Sequence, residues 1–154
     1  NSYMEMEMVQ IKGVDSTQRM TKADLAAGAK LIIRERLLTH GDQHAESGFV
    51  VNLNGEDSSA NVISRSVAKN HSTQVFNAEI NGNAKCAGHS ECDAIIMDHA
   101  KISAIPKIVA NDIDAALIHE AAIGKIAGEQ LIKLMTLGLT EQEAEAQIVN
   151  GFLK

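Results

Sequence analysis

The chain has 154 residues, 45% of them apolar but only 3% aromatic, with no Trp and a formal net charge of −6. That length suits one compact domain with a core of Ile, Val, Leu, Ala and Met. The acidic balance and the lack of a basic block exclude a binder of the nucleic-acid backbone, and no apolar run approaches the ~18 residues of a membrane span. Two cysteines, Cys86 and Cys92, are too few for a disulfide framework, so a reducing, cytoplasmic setting is expected. The first residues lack the basic start and apolar run of a signal peptide. The chain opens on Asn rather than Met, and a piece of something longer is expected.

Residues 1–14 are mixed, with a first strand expected over Met6–Ile11, closed by Gly13. Thr21-Lys-Ala-Asp24 resembles a weak helix start that Ala26-Ala27-Gly28 then breaks. From Ala29 the period falls to two. Leu31–Leu38 reads as a long strand ending at Gly41. Phe49, Val51 and Leu53 alternate with Val50, Asn52 and Asn54. Ile63, Arg65 and Val67 oppose Val62, Ser64 and Ser66, and Phe76, Ala78 and Ile80 oppose Val75, Asn77 and Glu79. Shorter runs follow at Ala94–Met97, Ile102–Val109 and Ala115–Ile118. Gly48, Gly55 and Gly82 read as turns, and Pro106 as a strand end or corner. Strands every ~8–12 residues mean an all-β architecture. Short apolar runs, small spacer residues and few aromatics favour a solenoid over a sandwich, although no strict hexapeptide repeat is visible.

The tail changes period. Leu131, Leu134 and Met135 share a helical face, and Gly138 is a plausible stop. Thr140-Glu-Gln-Glu143 is a capping box, after which Ala144, Ile148, Val149 and Phe152 line one face, with Asn150-Gly151 as the expected end. That stripe packs on the chain's own strands or docks another protein. The division expected is a β core over 1–122 and a helical segment over 123–154.

Three residues are candidates for chemistry: Cys92, His119 and Glu120. Cys86-x-x-His89-x-x-Cys92 has the wrong spacing for a zinc knuckle, and buried structural thiols are the simpler reading of its cysteines. His119 and Glu120 point to opposite sides of a strand but can converge at a strand-to-helix bend. Were Cys92 to join them, thiolate, imidazole and carboxylate would suit iron, zinc or an iron–sulfur unit. The alternative is a polar seam. His40 and His44 sit at a turn, His71 and His99 are isolated, and no phosphate loop, nucleophile elbow or dinucleotide fingerprint occurs.

The run from Ala84 to Phe152 is more specific. Glu-Cys-Asp-Ala-Ile-Ile-Met, Ala-Ile-Pro-Lys-Ile-Val-Ala-Asn, His-Glu-Ala-Ala-Ile-Gly-Lys-Ile, Leu-Met-Thr-Leu-Gly-Leu-Thr-Glu-Gln-Glu-Ala and Ile-Val-Asn-Gly-Phe follow in that order. The set resembles the C-terminal core of the SufB/SufD family, subunits of the SUF iron–sulfur cluster assembly machinery. The resemblance implies a right-handed parallel β-helix with C-terminal helices, and a scaffold role rather than an enzymatic one. It also implies a transient iron–sulfur cluster, a SufC-type ABC ATPase docking on the helical region, and a SufB/SufD-type partner subunit. By the same resemblance Cys92 matches the cluster-linked cysteine, and His119 and Glu120 match the His-Glu pair of SufB-like members. Cys92 and Glu120 would then hold the metal. SufD-like members lack the cysteine and carry Ser-His-Gly in place of His-Glu-Ala, so the chain is nearer to SufB. The family's upstream cysteine has no counterpart.

Two alternatives stand beside this: a metal-free, SufD-like structural partner, and a β-solenoid acyltransferase, which would need the missing hexapeptide period. Open end rungs make a homodimer the expected state of the chain in isolation.

Overall fold

The computed structural model describes residues 2–11 and 13–154, so Asn1 and Lys12 of the mixed N-terminal stretch lie outside the described residues. Among the described residues nine strands precede two helices: β1 (Tyr3–Gln10), β2 (Ser16–Leu25), β3 (Lys30–Thr39), β4 (His44–Leu53), β5 (Ser58–Ala68), β6 (Thr73–Gly82), β7 (Cys86–Ile96), β8 (Lys101–Ala110), β9 (Ala115–Gly124), α1 (Gly128–Thr136) and α2 (Glu141–Phe152). Odd strands pair only with odd and even only with even, all in parallel. The result is a five-stranded sheet, β1-β3-β5-β7-β9, facing a four-stranded one, β2-β4-β6-β8. This is a flattened β-solenoid of about four coils.

Alternation decides which side chains enter. On the five-stranded sheet, Leu31, Ile33, Glu35 and Leu37 point in while Ile32, Arg34, Arg36 and Leu38 point out. Parallel register then stacks like positions between coils, as in the inner row Ile33, Val62, Ser90, His119. Phe49, Val51, Leu53, Phe76, Ala78 and Ile80 fill the core from the four-stranded sheet. The Phe49 and Phe76 rings lie 5.8 Å apart.

The coil repeat is written in the corners and in the strand ends that lead into them. Amide ladders run between residues 28 or 29 apart: Asn111 donates to Asn83, Asn83 to Asn54, Asn81 to Asn52 and Asn52 to Asp24. At one corner Gly41, Asn70 and Asp98 take left-handed conformations, with φ of 59°, 60° and 57°. Gly, Asn and Asp are the residues that reach that region at little cost. They are also linked: Gly41 N–H donates to Asn70 Oδ1, and Asn70 N–H to Asp98 Oδ2. His71 and His99, isolated in sequence, stack beside this corner with ring centroids 5.3 Å apart.

Several local expectations are corrected. Thr21–Asp24 is not a helix start but part of β2, whose inward Thr17, Arg19, Thr21, Ala23 and Leu25 alternate with exposed Ser16, Gln18, Met20, Lys22 and Asp24. Gly48 is not in a turn. It is buried within β4, where an added Cβ would meet the Met20 side chain. Pro106 lies inside β8, which tolerates it because β8 is the last strand of its sheet and needs ladder bonds on one side only.

The capping box forms as expected. Thr140 Oγ1 accepts from Glu143 N–H and Glu143 Oε2 from Thr140 N–H. Gly138, at φ 96°, follows α1. α2 runs past Asn150-Gly151 to Phe152. Its Val149, Ile148 and Phe152 cover Leu38, Val67 and Ile95 on the outer face of the five-stranded sheet. The stripe therefore packs on the chain's own strands. α1 buries none of its residues and leaves Ile132 and Met135 exposed. Among the described residues no helix is long and apolar enough to cross a membrane.

Candidate functional site

Both chemistry-bearing strands lie at one end of the solenoid: β9 is the terminal strand of its sheet and β7 is next to it. Their register is Ser90 with His119, Glu91 with Glu120, and Cys92 with Ala121. β9 continues to Gly124, so no bend occurs at residue 119, and of the two alternatives it is the strand arrangement that holds. Strand pleat sends His119 inward and Glu120 outward.

Cys92 also faces inward. It is 1% exposed and stacked below Ser64, which lies below Glu35 in the same inner row. Burial first, then the charges of Asp93 and Glu35, push its thiol up to about 11. At neutral pH this sulfur is a thiol, a poor nucleophile and metal ligand until it loses its proton. His119 sits on the same inner face, one residue pair along. The spacings of a sheet put its Cα roughly 8 Å from that of Cys92. Both His119 ring nitrogens are buried without a hydrogen-bond partner, as is Ser90 Oγ. Burial, then His89, lowers the His119 pKa against the opposing pulls of Glu120 and of the nearby Ser90 backbone, which lies outside hydrogen-bonding geometry, so the neutral, ligating form is favoured. Cys86 is buried in the main core, its thiol also pushed up by burial, as a structural thiol would be.

The interior also holds an ion pair. Glu35, 2% exposed, pairs with Arg19 from the facing sheet and accepts from Ser47 Oγ at 2.5 Å and Ser64 Oγ at 2.8 Å. Alternation in Arg34-Glu35-Arg36 could have marked Glu35 as inward; its charge hid it.

Glu120 has different company. On the outer face His89 Nε2 lies 3.0 Å from Glu120 Oε2, and His89 Nδ1 lies 3.1 Å from Asn61 Oδ1. Ligand atoms of His89, Glu91 and Glu120 all fall within 4.8 Å of one another, the one such trio among the described residues. Burial, then the hydrogen bond and charge of Asp93, raise the Glu91 pKa against the pull of His89 and Arg65. Thus Cys92 and His119 share the interior, while Glu120 stands across the sheet with His89 and Glu91. From sequence, His89 stands out only within Cys86-x-x-His89-x-x-Cys92, and Glu91 is not joined to it. Their i, i+2 spacing shows a shared face, but only the coil repeat places Glu120 opposite.

Residues 1–152 match the family model described as "SUF system FeS cluster assembly, SufBD core domain". The chain is 35% identical over 127 residues to an "Iron-sulfur cluster assembly SufBD family protein" of Methanothermobacter thermautotrophicus, covering 81% of this chain and 31% of that protein. Another protein of that description, from Methanocaldococcus jannaschii, is 40% identical over 105 residues, 68% of this chain and 33% of its own length. One from Mycobacterium tuberculosis is 32% identical over 117 residues, 73% of this chain and 14% of that protein. The chain therefore spans about a third or less of the length of these relatives.

Proposed function

Because this chain belongs to the SufBD core family of iron–sulfur cluster assembly proteins, we propose that it is the scaffold part of a SufB-like subunit, holding a nascent cluster as cargo and passing it on. The observation that carries this reading is His119: two buried ring nitrogens without partners, on the same inner face as Cys92 and next to the free edge of the solenoid. Cys92 and His119 offer a sulfur and a nitrogen donor from inside, a soft and borderline set suited to iron–sulfur chemistry. Glu120, on the opposite face of the edge strand, contributes an oxygen ligand to a cluster seated at that edge. Such mixed ligation is weak and exchangeable, as transfer requires, and the role is not enzymatic.

The thiol must ionise to act. A bound iron ion does this by direct charge stabilisation, and opening of the free edge does it by admitting water. We place a second β-solenoid subunit, SufB- or SufD-like or a second copy, on the free edges of β8 and β9, where ladder groups and Ile105, Ile118 and Ile123 are exposed. A SufC-type ATPase docks on the helices, a reading supported by exposed Ile132, Met135 and Leu137. Its hydrolysis cycle opens and closes the solenoid interface.

Anaerobic reconstitution with iron and sulfide tests the reading. The wild-type chain is expected to bind iron and acid-labile sulfide with visible charge-transfer absorption, and Cys92→Ser to lose most of both. Equal loading removes Cys92 from the site. The burial of Cys92 favours a second reading, a metal-free, SufD-like partner. It predicts co-purification with another subunit and no iron in either variant.

A further inference from the structure

The outer face of the five-stranded sheet carries a second constellation. His89 and Glu91 alternate along β7, and Glu120 lies directly across from Glu91 on β9. The donors converge from two adjacent strands rather than from one flexible loop. Two of the three are partly shielded, the His89 side chain at 30% exposed and Glu91 half-buried, while the Glu120 side chain is 66% exposed.

The imidazole itself points to a ligand. Both its nitrogens face oxygen acceptors, Asn61 Oδ1 at 3.1 Å and Glu120 Oε2 at 3.0 Å. A neutral imidazole has one N–H to give. With Nδ1–H donated to Asn61, the Nε2 lone pair meets a carboxylate oxygen. That arrangement is repulsive unless a second proton or a cation lies on the Nε2 side. Two carboxylates beside one nitrogen carry the charge that a dication neutralises. A partner that fixes the far ring nitrogen is also how metal-ligating histidines are held. A groove of about 340 Å³, lined by Asn61, Ala87, His89, Ala116 and Ile118 among others, opens alongside and gives access from solvent.

We propose that His89 Nε2, Glu91 and Glu120 form a divalent transition-metal site on the outer face, across the sheet from the Cys92–His119 interior and sharing Glu120 with the cluster edge, with Asn61 as its positioning residue. One nitrogen and carboxylate oxygens suit Fe(II), Mn(II) or Co(II) and offer no sulfur. Taken with the scaffold reading, on which this assignment of the ion's role rests, the site holds ferrous iron before it meets sulfide. Binding of the ion itself does not depend on that reading.

Cobalt is the probe, because its spectrum reports the donors. Co(II) titrated anaerobically into the intact chain is expected to bind one per chain, giving d–d bands without a sulfur-to-metal charge-transfer band. His89→Gln and Glu91→Gln, both partly exposed and compatible with the fold, should each weaken binding about 10-fold or more, and Asn61→Leu about 10-fold. A thiolate charge-transfer band, affinity unchanged in both ligand variants, or no binding at all would each overturn the site. Cluster loading of Cys92→Ser is scored separately. Its loss beside a failed cobalt titration overturns the cation site and leaves the scaffold reading standing. A cobalt site beside unchanged cluster loading does the reverse.

Discussion

Replacing Glu35 with Ala is expected to destabilise the chain by about 3 kcal/mol, the lower end of the cost of breaking a buried pair from one side, because water reaches the Arg19 side chain, which is 32% exposed. The carboxylate holds the Arg19 guanidinium and two serine hydroxyls inside the solenoid. Without it those hydroxyls lose their acceptor, and Arg19, whose Nε is already buried and unpartnered, keeps a charge with nothing to balance it. For a chain of this size that corresponds to a melting temperature lower by roughly 10 °C. The Arg19→Met, Glu35→Leu double variant removes both charges and fills the space, and should recover most of the loss. A Glu35→Ala melt within 2 °C of wild type, or a double variant no better than the single one, would show that the pair is not holding the coils together. Glu35 shares its inner row with Cys92, so its loss also removes one of the charges that keep that thiol protonated.

Gly55→Ala is the second large effect. A Cβ there would lie 2.0 Å from Ala27 N and 2.4 Å from the Ala26 carbonyl carbon, both backbone atoms of the coil above. Side chains can step aside, but stacked backbones cannot without separating the coils. The hydrogen bonds from Asn54 and Gly55 N–H to Leu25 O, at 2.9 and 3.1 Å, are the first to break. A loss on the order of 4 kcal/mol follows from the overlap and the broken corner bonds together. Gly41→Ala meets nothing within 4 Å and suffers only from its φ of 59°, about 1–2 kcal/mol. Gly124→Ala, with open space around it, should melt within a degree or two of wild type. Urea unfolding of the three variants checks the order. Gly55→Ala as stable as Gly124→Ala would contradict the close stacking.

Much of the fold was legible because alternation is a local signal. Leu31–Leu38, Phe49–Leu53 and Phe76–Ile80 each declare an inner and an outer face, and the helical tail declares its cap at Thr140. The coil repeat was harder to see because it sits in corners and strand ends rather than along the strands. Gly41, Asn70 and Asp98 are three different residues sharing one backbone conformation, and Asn54, Asn83 and Asn111 recur 28 or 29 positions apart. A search for identical hexapeptides passes over both. The edge strand β2 was misread because few apolar residues mark its inner face.

For the site, residue types were easier to read than residue placement. Cys92, His119 and Glu120 were picked out for their chemistry and their family resemblance. Their grouping turned on whether the strand ends at His119, and it ends at Gly124. Those five further residues put imidazole and carboxylate on opposite faces. They give Glu120 the neighbours His89 and Glu91, which no sequence spacing connects to it.

The pairing of Cys92 with His119 on the inner face is tested most directly by pulsed EPR on the reconstituted, one-electron-reduced protein. The prediction is a nitrogen hyperfine coupling from a histidine ligand that disappears in His119→Ala and persists in His89→Gln. A coupling untouched by His119→Ala, or one abolished by His89→Gln, would place the cluster on the other face of the sheet.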